Sequence, residues 1–595
     1  MSASESIHSV QNHQVYISKV SAARVRHTPP RKMMMMMIFQ LFLFTLLFRV
    51  SRSCTSILIG PDASEDGMGF VGQSDDGEGA GDRRLVYVEE RTHSKDELRP
   101  IIDYGDFPRY VGYERKIPEY YPSDRLPNET KNVIGHIPQV EKTFGYFEGN
   151  YAIANSEGVQ FGESTVSAKI FAKSVSNGGP SLLSMYSLSR LAAERASTSR
   201  EAVKIMGSLA EEFGFYGDPA PDTGGESLLV ADSDEQFIFH VLAADEQKGG
   251  AIWCAQKIGK DEITIVANAF VIGFVDTNSS SFLYSENMHS IALKRGWWNG
   301  EDKLHFTRAF SAGEYTSRYY SGRRMWAFWN ALAPSLEVPA EYDSYLASIG
   351  ETYPVSAKPD RKVSRHDIFF NVYRNYYEGT SFDLSHGVAA GPFGTPVRYK
   401  PGLNEYKLAG SCGSKNDGGP CSHWERSIAS FRSDLVALTQ FGAKKSDESF
   451  LWFLPGSALS GVFVPLPVSN KKVPAELSDC LNTRVDRTKS MWAFRELVQF
   501  AYPRWIHLKD RIAQVASELE HSSYINVIQN QGDVDKNSKD VIQRWRELYN
   551  ELLVQYSDGW SYENHKAGRL GYPMAWLKEV HYADSGVDPC EPTCI

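Results

Sequence analysis

At 595 residues, 42% of them hydrophobic, the chain can bury a large core, and length alone predicts several domains. A net charge of -10, a pI near 5.9 and no long basic stripe exclude a cationic nucleic-acid-binding surface. Beyond residue 53 no apolar run approaches the roughly 18 residues that a membrane helix needs.

The first element is a leader. Met33 to Phe48 is an uncharged apolar run of sixteen residues preceded by Arg24, Arg26, Arg31 and Lys32. Ser51 and Ser53 then place small side chains three residues and one residue before Cys54, as a small-x-small cleavage site requires. Residues 1–53 are therefore expected to be removed, leaving no stable membrane span and sending the chain into the secretory route, to an extracellular or endolysosomal lumen. Cleavage makes Cys54 the new N-terminus, where a thiol and a free α-amine form a nucleophile with its own base. An uncut signal-anchor, which denies Cys54 its free amine, is the alternative. In a secreted chain Cys412 and Cys421, around a Gly-rich loop, and Cys590 and Cys594 are disulfide candidates. Asn128 and Asn278 head glycosylation sequons.

Thr55–Ile59 is a short apolar strand leading out of Cys54. Strands are also expected at 67–71 and 85–88, with Gln73-Ser74-Asp75-Asp76 as a polar turn between them. From Pro100 to Pro138 the chain is rich in Tyr, Pro and charge and reads as an irregular excursion. Thr198-Ser199-Arg200-Glu201 is a capping-box start, Val203, Met206, Ala210 and Phe213 follow at helical spacing, and Gly214 ends the helix. Strands at 227–231, 236–242, 251–257 and 262–267, separated by Asp232-Ser233-Asp234 and Gly259-Lys260-Asp261 turns, predict an antiparallel meander. Helical patterning returns at 489–520 and 541–556.

Four ordered stretches carry a family resemblance. The first is Cys54-Thr55-Ser56-Ile57-Leu58-Ile59-Gly60 with the aspartates of Ser74-Asp75-Asp76. The second is Asn155-Ser156-Glu157-Gly158-Val159 with Gly162-Glu163-Ser164-Thr165. Leu191 to Ala196, Trp253-Cys254-Ala255 and Ala267-Asn268 make the third. The fourth runs from Tyr376-Tyr377-Glu378-Gly379-Thr380 through Ala390-Gly391-Pro392-Phe393-Gly394 to Trp424-Glu425-Arg426-Ser427. Together, over about residues 54 to 505, they resemble the PepD-type, secernin-related dipeptidases, a branch of the N-terminal-nucleophile (Ntn) hydrolases.

The resemblance implies an α+β fold, a four-layer αββα sandwich over 54–484, followed by a mostly helical extension over 485–595. It implies a cysteine-type dipeptidase acting on small peptides, with Cys54 as nucleophile and a thioester intermediate. Asp76 matches the aspartate near the nucleophile's α-amine, Asn155 the oxyanion-hole asparagine, Asn268 a polar residue orienting nucleophile or substrate, and Arg426 a late active-site arginine. Glu163 is the candidate partner for a substrate ammonium. Gln73 stands where related acylases often carry arginine, and Ser156 where a glutamate is usual. A non-peptide amidase or acylase would use the same Cys54, Asp76, Asn155 and Asn268 logic. No cofactor is expected: the histidines are scattered without ligand spacing, and no phosphate-cradling glycine loop or Gly-x-Ser-x-Gly elbow is present. Oligomeric state is not legible.

Overall fold

In the computed structural model the described residues are 54–77, 82–102, 133–217, 224–313, 318–340, 353–398, 425–442, 444, 448–478, 485–557, 559–563 and 566–581. The leader, Asn128, Trp424 and the five cysteines from Cys412 onward, with both disulfide candidates, lie outside them. Cys54 and Cys254 are buried free thiols.

Among the described residues, fourteen strands make two antiparallel sheets. In chain order they are β1 (Thr55–Ile59), β2 (Gly69–Asp75), β3 (Val86–Val88), β4 (Tyr146–Glu148), β5 (Ala152–Asn155), β6 (Gln160–Val166) and β7 (Gly225–Ala231). The rest are β8 (Gln236–Asp245), β9 (Gly249–Ile258), β10 (Ile263–Val266), β11 (Phe282–Tyr284), β12 (Leu435–Phe441), β13 (Phe450–Pro455) and β14 (Val464–Pro467). The six-stranded sheet has the order β10-β1-β2-β12-β13-β14, and the eight-stranded sheet β11-β9-β8-β7-β6-β5-β4-β3. Short ribbons join Arg91–Thr92 to Lys142–Thr143, Leu98–Ile102 to Val133–Pro138, and Trp560–Glu563 to Lys566–Arg569.

β1 forms where the sequence predicts it. Its all-buried Thr-Ser-Ile-Leu-Ile run suits a strand flanked on both sides, by β10 and β2. β2 does not stop before Gln73: the expected polar turn is strand through Asp75. Its polar side chains are buried yet partnered, so the strand continues where polarity suggested a break. Ser74 Oγ accepts from the Thr55 amide at 3.2 Å, and Gln73 Oε1 accepts from the Glu163 amide at 2.6 Å. Of the expected four-strand meander, β7 to β9 pair consecutively, whereas β10 crosses to the other sheet and pairs with β1; the excursion after Pro100 contains the second ribbon at both ends.

Among the described residues, six longer helices flank the sheets: α1 (Met185–Arg195), α2 (Ser199–Phe213), α3 (Arg323–Leu332), α4 (Ser490–Ala501), α5 (Trp505–Ser523) and α6 (Val534–Gln555). α2 starts at its Thr198 cap, whose side chain accepts from the Glu201 amide at 3.2 Å, and ends at Gly214 with φ +76°. Leu188, Leu191, Val203, Met206 and Ala210 of α1 and α2 pack on Leu228, Val230, Phe237 and Phe239 of β7 and β8. On the opposite face Leu229, Ala231 and Ile238 join Ile57, Val71 and Leu438 of the other sheet. That same core takes in Phe494, Leu508, Ile512, Trp545 and Leu548 of α4 to α6 against Trp452, Leu454 and Leu466. Val50–Ile595 is one compact unit, so the C-terminal helices share the core of the sheets. No helix among the described residues is long and apolar enough to cross a membrane.

Candidate active site

Cys54 stands at the head of β1, fully buried. Its carbonyl oxygen is held twice, by Ser164 Oγ at 3.3 Å and by Arg324 Nη1 at 2.9 Å. Arg324 Nη1 also donates to Thr55 Oγ1 at 2.8 Å, so the first two residues of the strand are fixed by one guanidinium. Nη2 of the same arginine donates to Asn268 Oδ1 at 2.7 Å. Burial is the main cause that brings Arg324 down to about 9, and the neighbouring Arg426 cation adds to it.

Asn268 links the elements. It follows β10 with φ 55°, a left-handed backbone that Asn tolerates better than most residues. Its amide nitrogen donates to Ser164 Oγ at 3.0 Å, its Nδ2 to the Thr165 carbonyl at 2.7 Å, and its Oδ1 accepts from both Arg324 and Arg426. Arg426 donates onward to Asp76, whose other oxygen accepts from Ser433 Oγ. Asn268, Arg426 and Asp76 are thus one buried chain ending at Cys54 through Arg324. Both carboxylate oxygens of Asp76 are occupied within that chain.

Asp75 places Oδ1 4.0 Å from Cys54 Sγ. Alternation along β2 puts Gln73 and Asp75 on one side of the strand. Asp75 Oδ2 accepts from Asn150 Nδ2, and the Asn150 carbonyl accepts from Arg190, which pairs with the buried Glu148 at 2.6 Å. Glu163 is a further neighbour of the Cys54 thiol. Burial is the largest cause raising the Cys54 thiol well above its usual range, and Glu163, Asp75 and Asp76 reinforce it. Glu163 is itself pushed up to about 7, chiefly by burial. It is 1% exposed, so it does not line an open subsite.

Asn155 is not with them. Its Nδ2 donates to the carbonyls of Ala193 at 3.1 Å and Ala196 at 2.8 Å, at the end of α1. Its Oδ1 accepts from the amides of Glu157 and Val159. Both amide hydrogens are committed to a helix end, so the oxyanion-donor expectation is corrected: Asn155 closes a turn and caps a helix.

Arg324, Asp75 and Asn150 were missed in the sequence reading. Arg324 had a signal: an Arg323-Arg324 pair opening the apolar run Met-Trp-Ala-Phe-Trp predicts buried arginines with specific acceptors. Asn150 and Asp75 meet only through tertiary folding.

The Peptidase family C69 model matches residues 53–518. A probable dipeptidase of Latilactobacillus sakei is 23% identical over 334 residues, covering 56% of this chain and 62% of its own length, under two thirds of that relative. A probable dipeptidase of Salmonella dublin is 22% identical over 336 residues, 56% of this chain and 68% of its own. A dipeptidase of Bifidobacterium longum is 22% identical over 466 residues, 74% of this chain and 76% of its own. With most of its length inside the match, and Cys54 at the head of the first matched strand, the chain belongs to peptidase family C69.

Proposed function

We propose that the chain is a cysteine-type dipeptidase of the Ntn kind, with its sheets and helices layered as an αββα sandwich. Cys54 is the nucleophile and the intermediate is a thioester. The observation that carries this reading is the fixing of Cys54: its carbonyl is clamped by Ser164 and Arg324 at the head of a central strand. Such clamping holds the reacting sulfur in one position, which is what converts a bound substrate into a near-attack geometry. The names of the three relatives support the dipeptide as substrate.

The leader is removed on the secretory route, so that the mature chain begins at Cys54. A terminal α-amine, with a pKa of about 8, is then part of the site. Three buried acidic residues, Asp75, Glu163 and Asp76, surround the thiol electrostatically, a setting that attracts a substrate ammonium. Intact-mass analysis of the mature protein tests the maturation step, with Cys54 expected as first residue. In parallel, Cys54→Ala should abolish turnover of free dipeptides, and Cys54→Ser should keep at most a trace, because its hydroxyl is the weaker nucleophile. Full activity in a chain starting upstream of residue 54, or in Cys54→Ala, overturns the reading.

A further inference from the structure

α3 is entered through a single π-helical turn, Arg318–Gly322. Turns of this kind are rare and recur at functional sites. This one touches three members of the network around Cys54. The Tyr319 carbonyl accepts from the Arg426 amide at 3.1 Å, and the Tyr320 carbonyl accepts from Arg324 Nε at 2.7 Å. Ser321 Oγ donates to the Asn268 carbonyl at 3.4 Å. Three consecutive residues therefore each hold a different residue of the site.

Tyr320 adds a contact of another kind. The centroid of its half-buried ring lies 5.0 Å from the Arg324 guanidinium carbon and 5.0 Å from that of Arg426. Both distances fall within cation–π range. The two guanidiniums converge, because Arg324 Nη2 and Arg426 Nη1 donate to the same Asn268 Oδ1, at 2.7 and 3.1 Å. Like charges on one acceptor repel at short range. Arg426 has the Asp76 carboxylate against it. The hydrogen-bond acceptors of Arg324 among the described residues are all neutral: the carbonyls of Cys54, Ala267 and Tyr320, Thr55 Oγ1 and Asn268 Oδ1. A buried cation without a bonded carboxylate is costly, and the face of a π system supplies negative potential beside it.

We propose that Tyr320 is a positioning residue of the active site, its ring holding the Arg324 and Arg426 guanidiniums together on Asn268 and so keeping the head of β1 in place. The inference rests on Cys54 being the nucleophile and concerns only what holds its support. Tyr320 acts through the two arginines and carries no proton in the reaction. Arg324 is the link, since the same guanidinium donates to the Cys54 carbonyl at 2.9 Å and to Thr55 Oγ1 at 2.8 Å. Without the ring, repulsion is relieved by one arginine leaving Asn268 Oδ1. If Arg324 moves, the Cys54 carbonyl keeps only Ser164 Oγ of its two donors. The aromatic face, and not the phenol hydroxyl, is what this role needs.

The test compares wild type, Tyr320→Leu and Tyr320→Phe in the processed protein, by kinetics with an unblocked dipeptide and by amide hydrogen exchange. Tyr320→Leu removes the π face and keeps an apolar side chain. It should lower kcat by about 10- to 10²-fold with KM nearly unchanged, as expected when a reacting group is misplaced by up to about 1 Å. Tyr320→Phe keeps the ring and should recover most of that loss. In Tyr320→Leu, exchange should speed up in the peptides covering residues 54–59 and 263–270. It should stay at the wild-type rate in α2, which packs in a separate core with β7 and β8. Wild-type kcat in Tyr320→Leu overturns the proposal, and so does an equal loss in Tyr320→Phe. A loss confined to KM makes Tyr320 a substrate contact instead, and faster exchange throughout the chain makes it ordinary packing; either result also overturns it. If no form hydrolyses a dipeptide, the enzymatic reading fails separately and exchange decides. Unchanged rates at 54–59 and 263–270 then show that the ring does not hold the arginines.

Discussion

Asn155 makes four side-chain hydrogen bonds, two to the end of α1 and two within its own turn. Removing it strands buried backbone groups, each costing about 1–3 kcal/mol. Asn155→Ala should therefore lower the denaturation midpoint, while kcat in the folded fraction stays near wild type. A drop in kcat of about 10²-fold or more at unchanged stability would restore the oxyanion role. Two of the residues picked out from the sequence, Asn268 and Arg426, do join the hydrogen-bond network that reaches Cys54 through Arg324. Asn155 misled because an asparagine before Ser-Glu-Gly serves a turn equally well, and only its partners separate the two uses. Asp75 was taken for a turn residue beside Asp76, since polarity in a strand reads as a break until its buried partners, such as Asn150, are known.

At the scale of elements, α5 is tied to the sheet region by a buried ion pair. Arg374 Nη2 donates to Glu520 Oε1 at 2.6 Å, and the same arginine donates to the carbonyls of Ala458 and Gly461. Glu520 Oε1 also accepts from the Phe463 amide at 3.0 Å. Glu520→Ala leaves a buried guanidinium and an amide without that acceptor, and should cost about 3–5 kcal/mol. Glu520→Gln, which keeps an acceptor, should cost less. Equilibrium denaturation of the two variants checks this; equal losses would show that the pairing does not anchor the helix. The sequence marked 489–520 as helical from periodicity, and the structure divides that span at Tyr502–Arg504 into α4 and α5, the latter ending at Ser523. It could not show that Glu520 is buried, because the partner lies 146 positions away along the chain.

Across the whole molecule, the acidic cluster couples the site to stability. The ordinary Glu value is 4.5, and the folded value for Glu163 is raised, chiefly by burial. Between the two values the folded chain holds a proton that the unfolded chain has released, so stability falls as pH rises through that window. At about 1.4 kcal/mol per unit, the contribution is about 3–4 kcal/mol. Glu163→Gln should flatten this part of the curve and be more stable than wild type above neutrality, measured by chemical denaturation at about pH 5 and about pH 7.5. A parallel curve for the two proteins would show that Glu163 titrates normally. The meander, the α2 cap and β1 were legible because their signals are local. The assembly of Cys54, Arg324, Asn268 and Glu163 was not, because it joins β1, α3, β6 and the residue after β10.

The most direct measurement is side-by-side hydrolysis of unblocked dipeptides and their N-acetylated forms by the processed protein, with Cys54→Ala as control. A buried acidic surround favours a free ammonium, and a desolvated ammonium without a carboxylate partner is strongly disfavoured. Unblocked dipeptides should be cleaved, N-acetylated ones should not, and Cys54→Ala should cleave neither. Faster turnover of the N-acylated amides, or undiminished cleavage by Cys54→Ala, would contradict a cysteine dipeptidase built on Cys54.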